Sequence, residues 1–191
     1  MDDSIAISRI KQGDLNGLEI LVNRYQVRAV QAAYLILYDR ALAEDVAQTA
    51  FVKVAERAHQ FDEQRPFAPW FFRIVVNDAI KAAKKRKHSI SLDEHLDDAT
   101  AKLAAQLGEP VLQPPQVVEA RETRQTILKA IKSLTPEQRA VVAMRYFLDM
   151  SEADMSMRMN RPLSTIKWWL REARKRLRNL IGSSQGFEDS Q

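Results

Sequence analysis

The stretch "SEADMSMRMNRPLSTIKWWLREARKRLRNL", residues 151–180, decides the reading of this chain. It divides into a short helix over about 151–159, the turn Asn160-Arg161-Pro162, and a longer helix over 163–181. The longer one places two adjacent tryptophans before a ladder of arginines and lysines. Wound at about 100° per residue, it puts Leu163, Ile166, Leu170, Ala173, Leu177 and Leu180 on one stripe, the core face. Ser164, Trp168, Arg171 and Lys175 fall opposite, flanked by Lys167 and Arg178. Trp169 borders the apolar stripe and is expected to pack there. Trp168 is expected to point outward with the charges.

Short helix, tight turn and longer helix make a helix-turn-helix, whose second helix enters the major groove of DNA. Lysine and arginine neutralise phosphates, arginine reads guanine edges, and an apolar ring meets a thymine methyl. The candidate duplex contacts are therefore Arg161, Ser164, Thr165, Lys167, Trp168, Arg171 and Lys175. A helical hairpin with a solvated basic face, and Trp168 in a subunit contact, is the plainer reading of the same residues.

Outward from this stretch, composition sets bounds. The 191 residues allow one domain or two small ones, and 46% apolar content is enough for a core. The net charge is only +4, so its effect depends on where the charge is concentrated. There is no cysteine, which excludes disulfides, thiolate zinc sites and a cysteine nucleophile and suits the cytoplasm. His59, His88 and His95 are scattered, with no phosphate-cradling glycine loop and no nucleophile elbow. No catalysis, metal or cofactor is expected. The opening MDDSIAISRIKQGD is polar and partly acidic, unlike a secretion signal, and no apolar run approaches the roughly 20 residues of a membrane span.

Only five glycines and no hairpin-turn dipeptide predict an all-α chain. Helices are expected over 3–12, 16–37, 41–59 with Asp39 as cap, and from Pro69 or Trp70 to about Lys87. The segment FDEQRPFAP, 61–69, is expected as a loop because Pro66 and Pro69 disfavour helix. Residues 89–119 hold six acidic residues and one lysine, with three of the seven prolines. They read as a linker with a helical turn or two near 98–107. Helices resume over 116–132, 136–148, 151–159 and 163–181. Thr135-Pro136-Glu137-Gln138 carries a helix-start signature. Two small bundles result, 1–88 with four helices and 116–181, joined by an acidic flexible linker, 89–115, and followed by a frayed tail, 182–191.

The helix after Trp70 bears a second basic face, Arg73, Asn77, Lys81, Lys84 and His88, opposite Phe72, Val75, Val76, Ala79 and Ala83. Trp70 and Phe71 head it. Aromatics beside a basic helix suit unstacked bases, each stacking contact being worth roughly 1–3 kcal/mol. The same pair could simply be core.

Three segments together carry a resemblance: "ALAEDVAQTAFVKVAERAHQF", "APWFFRIVVNDAIKAAKKRKH" and "LTPEQRAVVAMRYFLDMSEADMSMRMNRPLSTIKWWLREARKRLRNL". In this order they resemble the sigma factors of bacterial RNA polymerase, in particular the two-domain extracytoplasmic-function group. The resemblance covers nearly all of the chain outside the linker and tail. It implies a first bundle that binds the beta-prime clamp of core polymerase and opens the minus-10 element, and a second that binds the minus-35 duplex. It implies a linker running toward the active-site cleft, whose acidity either mimics nucleic acid or merely keeps it soluble.

Residue by residue, the segment from Glu44 to Phe51 matches the family's polymerase-binding helix. Asp45, Gln48, Val52 and Glu56, with His59, share one helical face there, which by projection alone could be solvent surface. Trp70 and Phe71 match the melting aromatics, and the loop from Phe61 to Pro69 matches the loop that captures a flipped base. With Arg73, Asn77, Lys81 and Lys84 they form the implied minus-10 set, Asn77 being as readily structural as base-reading. Further partners implied are the beta flap and an anti-sigma factor, with a monomer when free and no membrane insertion.

The chain departs from the family at Ser164, usually Gly, and at Trp168 and Trp169, usually small-polar and Arg. Thr49 stands where Glu is usual, and Pro66 and Pro69 replace a loop richer in Gly and Ser. The target sequence is therefore expected to be unusual and the capture loop stiff. The competing function is a helix-turn-helix regulator that works without polymerase. Such a protein has no reason to join the Glu-Asp-x-x-Gln helix to an aromatic-headed basic one.

Overall fold

The computed structural model describes residues 2–89, 127–128 and 130–185. Its contacts divide the chain into two compact units, Met1–Lys87 and His88–Gln191. Every regular element among the described residues is helical. The linker expected over 89–115 (beyond Ser89), its turns near 98–107 and the last six residues lie outside the described part.

The first unit is a four-helix bundle: α1 (Asp3–Lys11), α2 (Asn16–Leu37), α3 (Arg40–Arg57) and α4 (Phe67–Ser89). Gly13, at φ +84°, makes the turn between α1 and α2. Gly17 lets these helices touch: a Cβ there would lie 2.3 Å from the Ala6 carbonyl oxygen. Asp39 has extended backbone and its carboxylate accepts from the Leu42 amide at 3.0 Å, starting α3 as expected. A single 3-10 turn, Ala58–Gln60, follows α3.

Six alanines of α2 and α3 bury completely or nearly so: Ala29, Ala32, Ala33, Ala43, Ala47 and Ala50. Small side chains let these backbones approach, and an aromatic cluster fills the remaining space. Phe71 sits within it, its ring centroid 4.6 Å from Phe51, 5.3 Å from Phe72, 5.6 Å from Phe67 and 5.9 Å from Tyr25. The Tyr25 hydroxyl donates to the Asp3 carboxylate, which also pairs with Arg24. Burial, and then the hydrogen bond and charge of Asp3, push the Tyr25 phenol up to about 12.

In the second unit α5 (Pro136–Val142) starts at Thr135 with a capping box. The Thr135 hydroxyl accepts from the Gln138 amide at 3.2 Å, and Gln138 Oε1 accepts from the Thr135 amide at 3.0 Å. A π turn, Ala143–Phe147, continues it. Then come α6 (Glu152–Met159) and α7 (Leu163–Gln185). Val141, Met144, Met155, Ile166, Leu170 and Ala173 form the core of this unit, each at most 1% exposed.

Four expectations are corrected. Helix α4 starts at Phe67, so Pro69 lies in its first turn; a proline there forfeits only an amide with no intrahelical acceptor. The helix expected over 136–148 is α-helical only to Val142. Helix α7 runs on to Gln185, past the expected end at 181. Leu163 and Leu180, placed on the core stripe by projection, are 41% and 39% exposed, because that stripe outruns the body it packs against.

Candidate nucleic-acid and partner faces

Three faces carry the candidate residues. The first is the outer side of α7. The turn before it is closely tied. Asn160 adopts left-handed backbone, φ 49°, and ends α6. The Ser156 carbonyl accepts from the Arg161 amide at 3.1 Å, and the Ser156 hydroxyl donates to the Arg161 carbonyl at 2.6 Å. Ser151 caps α6, accepting from the Asp154 amide at 3.1 Å. The Ser156–Arg161 bonds tie the turn between α6 and α7.

Ile166, Leu170 and Ala173 anchor the inner side of α7. Arg161, Ser164, Lys167, Arg171 and Lys175 are exposed, and Thr165 is half-buried. The two tryptophans separate as the projection requires: Trp168 is 50% exposed, and Trp169 is half-buried against the body. An indole half open to water beside four basic side chains has apolar area to bury and charge to neutralise.

The second face is the head of α4. Phe72, Val75, Val76, Ala79 and Ala83 are buried, as expected. Arg73, Lys81 and Lys84 are exposed and Asn77 is half-buried. Phe71 is corrected from a base contact to a core residue. It is fully buried within the aromatic cluster and has no surface to offer a base. Trp70 is only half-buried, its ring 5.0 Å from Phe61 and 5.9 Å from Phe67, so it joins the cluster to the surface. Charges at the other end are partly tied, since Arg86 pairs with Asp39 at 3.1 Å.

The third face lies on α3. Asp45, Gln48, Val52, Glu56 and, in the 3-10 turn, His59 are all exposed. Val52 is 55% exposed, a single aliphatic side chain amid carboxylates and an amide. Behind it Val46, Ala50 and Val54 are buried, and Lys53 pairs with Asp78 of α4 at 2.6 Å.

Sequence reasoning missed Lys11. Its ammonium donates to the Phe61 carbonyl at 3.1 Å and to the Glu63 carboxylate at 2.6 Å, tying α1 to the loop before α4. It missed Arg28 too, whose guanidinium lies 5.4 Å from the Phe72 ring centroid. Neither partner is near in sequence, so no local pattern signals either contact.

Comparison with known proteins adds to this geometry. Residues 21–89 match the family model for Sigma-70 region 2, and residues 124–177 the model for Sigma-70, region 4. The chain is 28% identical over 176 residues to the ECF RNA polymerase sigma factor SigW of Bacillus subtilis (strain 168), covering 92% of this chain and 94% of that protein. Two solved structures share the fold. One is CnrH in complex with the cytosolic domain of CnrY, with TM-score 0.67 and 20% identity over 96% of this chain and 99% of that one. The other is the sigma factor RpoE in complex with the anti-sigma factor NepR from Bartonella quintana, with TM-score 0.59 and 21% identity over 87% and 96%. The matched segments include α3, α4, α6 and most of α7, the helices that carry the three faces, and the chain belongs to the sigma-70 family, within its extracytoplasmic-function group.

Proposed function

We propose that this chain binds core RNA polymerase and directs promoter-specific initiation. In this reading α7 reads the minus-35 duplex through Arg161, Ser164, Thr165, Lys167, Trp168, Arg171 and Lys175. The head of α4, with Trp70, Arg73, Asn77, Lys81 and Lys84, meets the melting minus-10 strand. Asp45, Gln48, Val52 and Glu56 of α3 meet the polymerase clamp. The chain supplies binding energy and specificity and no catalysis of its own.

One observation carries this best. The first unit sets an exposed mixed face on α3, with Val52 at 55% exposure, alongside a half-buried tryptophan at the head of the basic α4. A regulator acting on duplex alone has use for neither. Among the described residues no helix is long and apolar enough to cross a membrane. We place the working chain in the cytoplasm with its polymerase, monomeric when free and held by an anti-sigma partner until released. Comigration with core polymerase, followed by run-off transcription on genomic fragments, tests the reading. A chain that binds duplex DNA but neither comigrates nor programs run-off would be a helix-turn-helix regulator instead.

A further inference from the structure

Lys11, the last residue of α1, acts at a distance of 50 residues in sequence, on the loop that precedes α4. Its ammonium donates to the Phe61 carbonyl at 3.1 Å and to Glu63 Oε1 at 2.6 Å. The rest of the loop is fixed from within. The Phe61 ring is buried, 5.0 Å from Trp70 and 5.9 Å from Phe67. Asp62 Oδ1 accepts from the Gln64 amide at 3.1 Å, and the Asp62 carbonyl from the Arg65 amide at 3.0 Å. Asp62 Oδ2 pairs with Arg65 Nε at 3.2 Å.

Two properties follow. The loop has anchored ends and an exposed crown, residues 62–66. Both carboxylates of that crown already face a cation, Asp62 with Arg65 and Glu63 with Lys11. A loop that must order itself on binding loses affinity to that ordering, and a loop already ordered does not. An unmatched carboxylate beside a phosphodiester strand would repel it. The Lys11–Glu63 pair is partly exposed on both sides, 24% and 43%, so it adds little to global stability. Its effect falls on the loop.

We infer that Lys11 is a positioning residue for the loop from Phe61 to Pro66: it holds the loop in the shape that receives an unstacked base and screens Glu63 from the strand. This rests on the minus-10 reading proposed above. Lys11 itself touches no nucleic acid in this arrangement.

The test uses the full chain and Lys11→Met, Lys11→Arg, Glu63→Gln and the Lys11→Met/Glu63→Gln double variant. The probe is the single-stranded hexamer that the wild type enriches from a randomised DNA pool, with a scrambled hexamer as control. Lys11→Met is expected to weaken hexamer binding by about three- to tenfold, roughly 0.7–1.4 kcal/mol, with a nearly unchanged melt. Lys11→Arg restores binding, because a guanidinium can donate to both acceptors. The double variant loses less than the two single effects summed, the mark of coupled partners. Hydrogen exchange at the Gln64 and Arg65 amides should quicken in Lys11→Met with no DNA present. Wild-type binding by Lys11→Met, or a loss unchanged in the Glu63→Gln background, would overturn the inference; the latter is what direct phosphate contact gives. If the wild type enriches no hexamer, base capture by the loop fails as a reading. Unchanged amide exchange in Lys11→Met would then show separately that Lys11 does not hold the loop.

Discussion

Phe71 stacks on Phe67 with ring centroids 5.6 Å apart and planes 13° from parallel, while its sequence neighbour Trp70 is only half-buried. The adjacent aromatics therefore have different work. Phe71→Ala should lose about 3–5 kcal/mol, the cost of emptying a buried aromatic site, and should harm every activity of the first unit alike. Trp70→Ala should lose less stability and harm transcription from duplex promoters more than from templates with a pre-melted bubble. An aromatic that holds strands apart is needed less once they are apart. Thermal melts combined with run-off on both templates measure this. Equal damage by Trp70→Ala on the two templates would make Trp70 structural.

The contrast also shows how far the sequence could be read. Helical period placed Val75, Val76, Ala79 and Ala83 inside and Arg73 and Lys81 outside, and the structure agrees. Periodicity reports which face of a helix is buried. It reports nothing about where that helix starts, so it leaves Phe71 ambiguous, and packing against Phe51, Phe67 and Tyr25 puts that ring in the core. The same limit applies toward the two ends of α7, where Leu163 and Leu180 continue the apolar stripe but remain exposed. Capping was more legible, since Asp39 and Thr135 act on backbone within three residues. Lys11 and Glu63 form a contact between distant segments, and no local pattern encodes it.

Stability should respond to pH through Tyr25. Burial, then the hydrogen bond to and charge of Asp3, hold its phenol near 12 against an ordinary 10.0. The folded chain thus keeps this proton more tightly than the unfolded one. The contribution is complete below pH 10 and is lost as pH rises from about 10 to about 12. The informative quantity is a difference between two chains. Tyr25→Phe should be less stable than the wild type at neutral pH, and the gap should narrow across that window. Denaturant melts at stepped pH check it, and a constant gap would contradict the assignment.

The α3 face makes a prediction about assembly. Asp45 and Gln48 are exposed one turn apart, with Val52 and Glu56 beyond them, and α3 buries its other side independently. Asp45→Arg combined with Gln48→Ala should leave the helical circular dichroism intact. Binding to core polymerase should weaken by about tenfold or more, roughly 1.4 kcal/mol, from reversed charge and a lost amide. Unaltered affinity in a folded variant would remove this face from the polymerase interface.

The two tryptophans of α7 provide the last prediction. Trp169 is half-buried, next to the buried Leu170 and one turn from the buried Ile166, whereas Trp168 is 50% exposed between Ser164 and Arg171. Trp169→Ala should therefore mainly destabilise the second unit, by about 1–3 kcal/mol. Trp168→Ala should leave the melt nearly unchanged and weaken minus-35 binding. If the ring meets a thymine methyl, the loss should be about 1–3 kcal/mol on one sequence and less on another. Lys175→Ala should act differently, weakening binding evenly across sequences and flattening the salt dependence by about one phosphate contact. Isotherms at several salt concentrations on two duplexes separate the three outcomes. A Trp168→Ala protein that binds both duplexes like the wild type would move the indole from base reading to a protein contact. Its half-exposed ring would then be the first place to look for the anti-sigma partner or the polymerase flap.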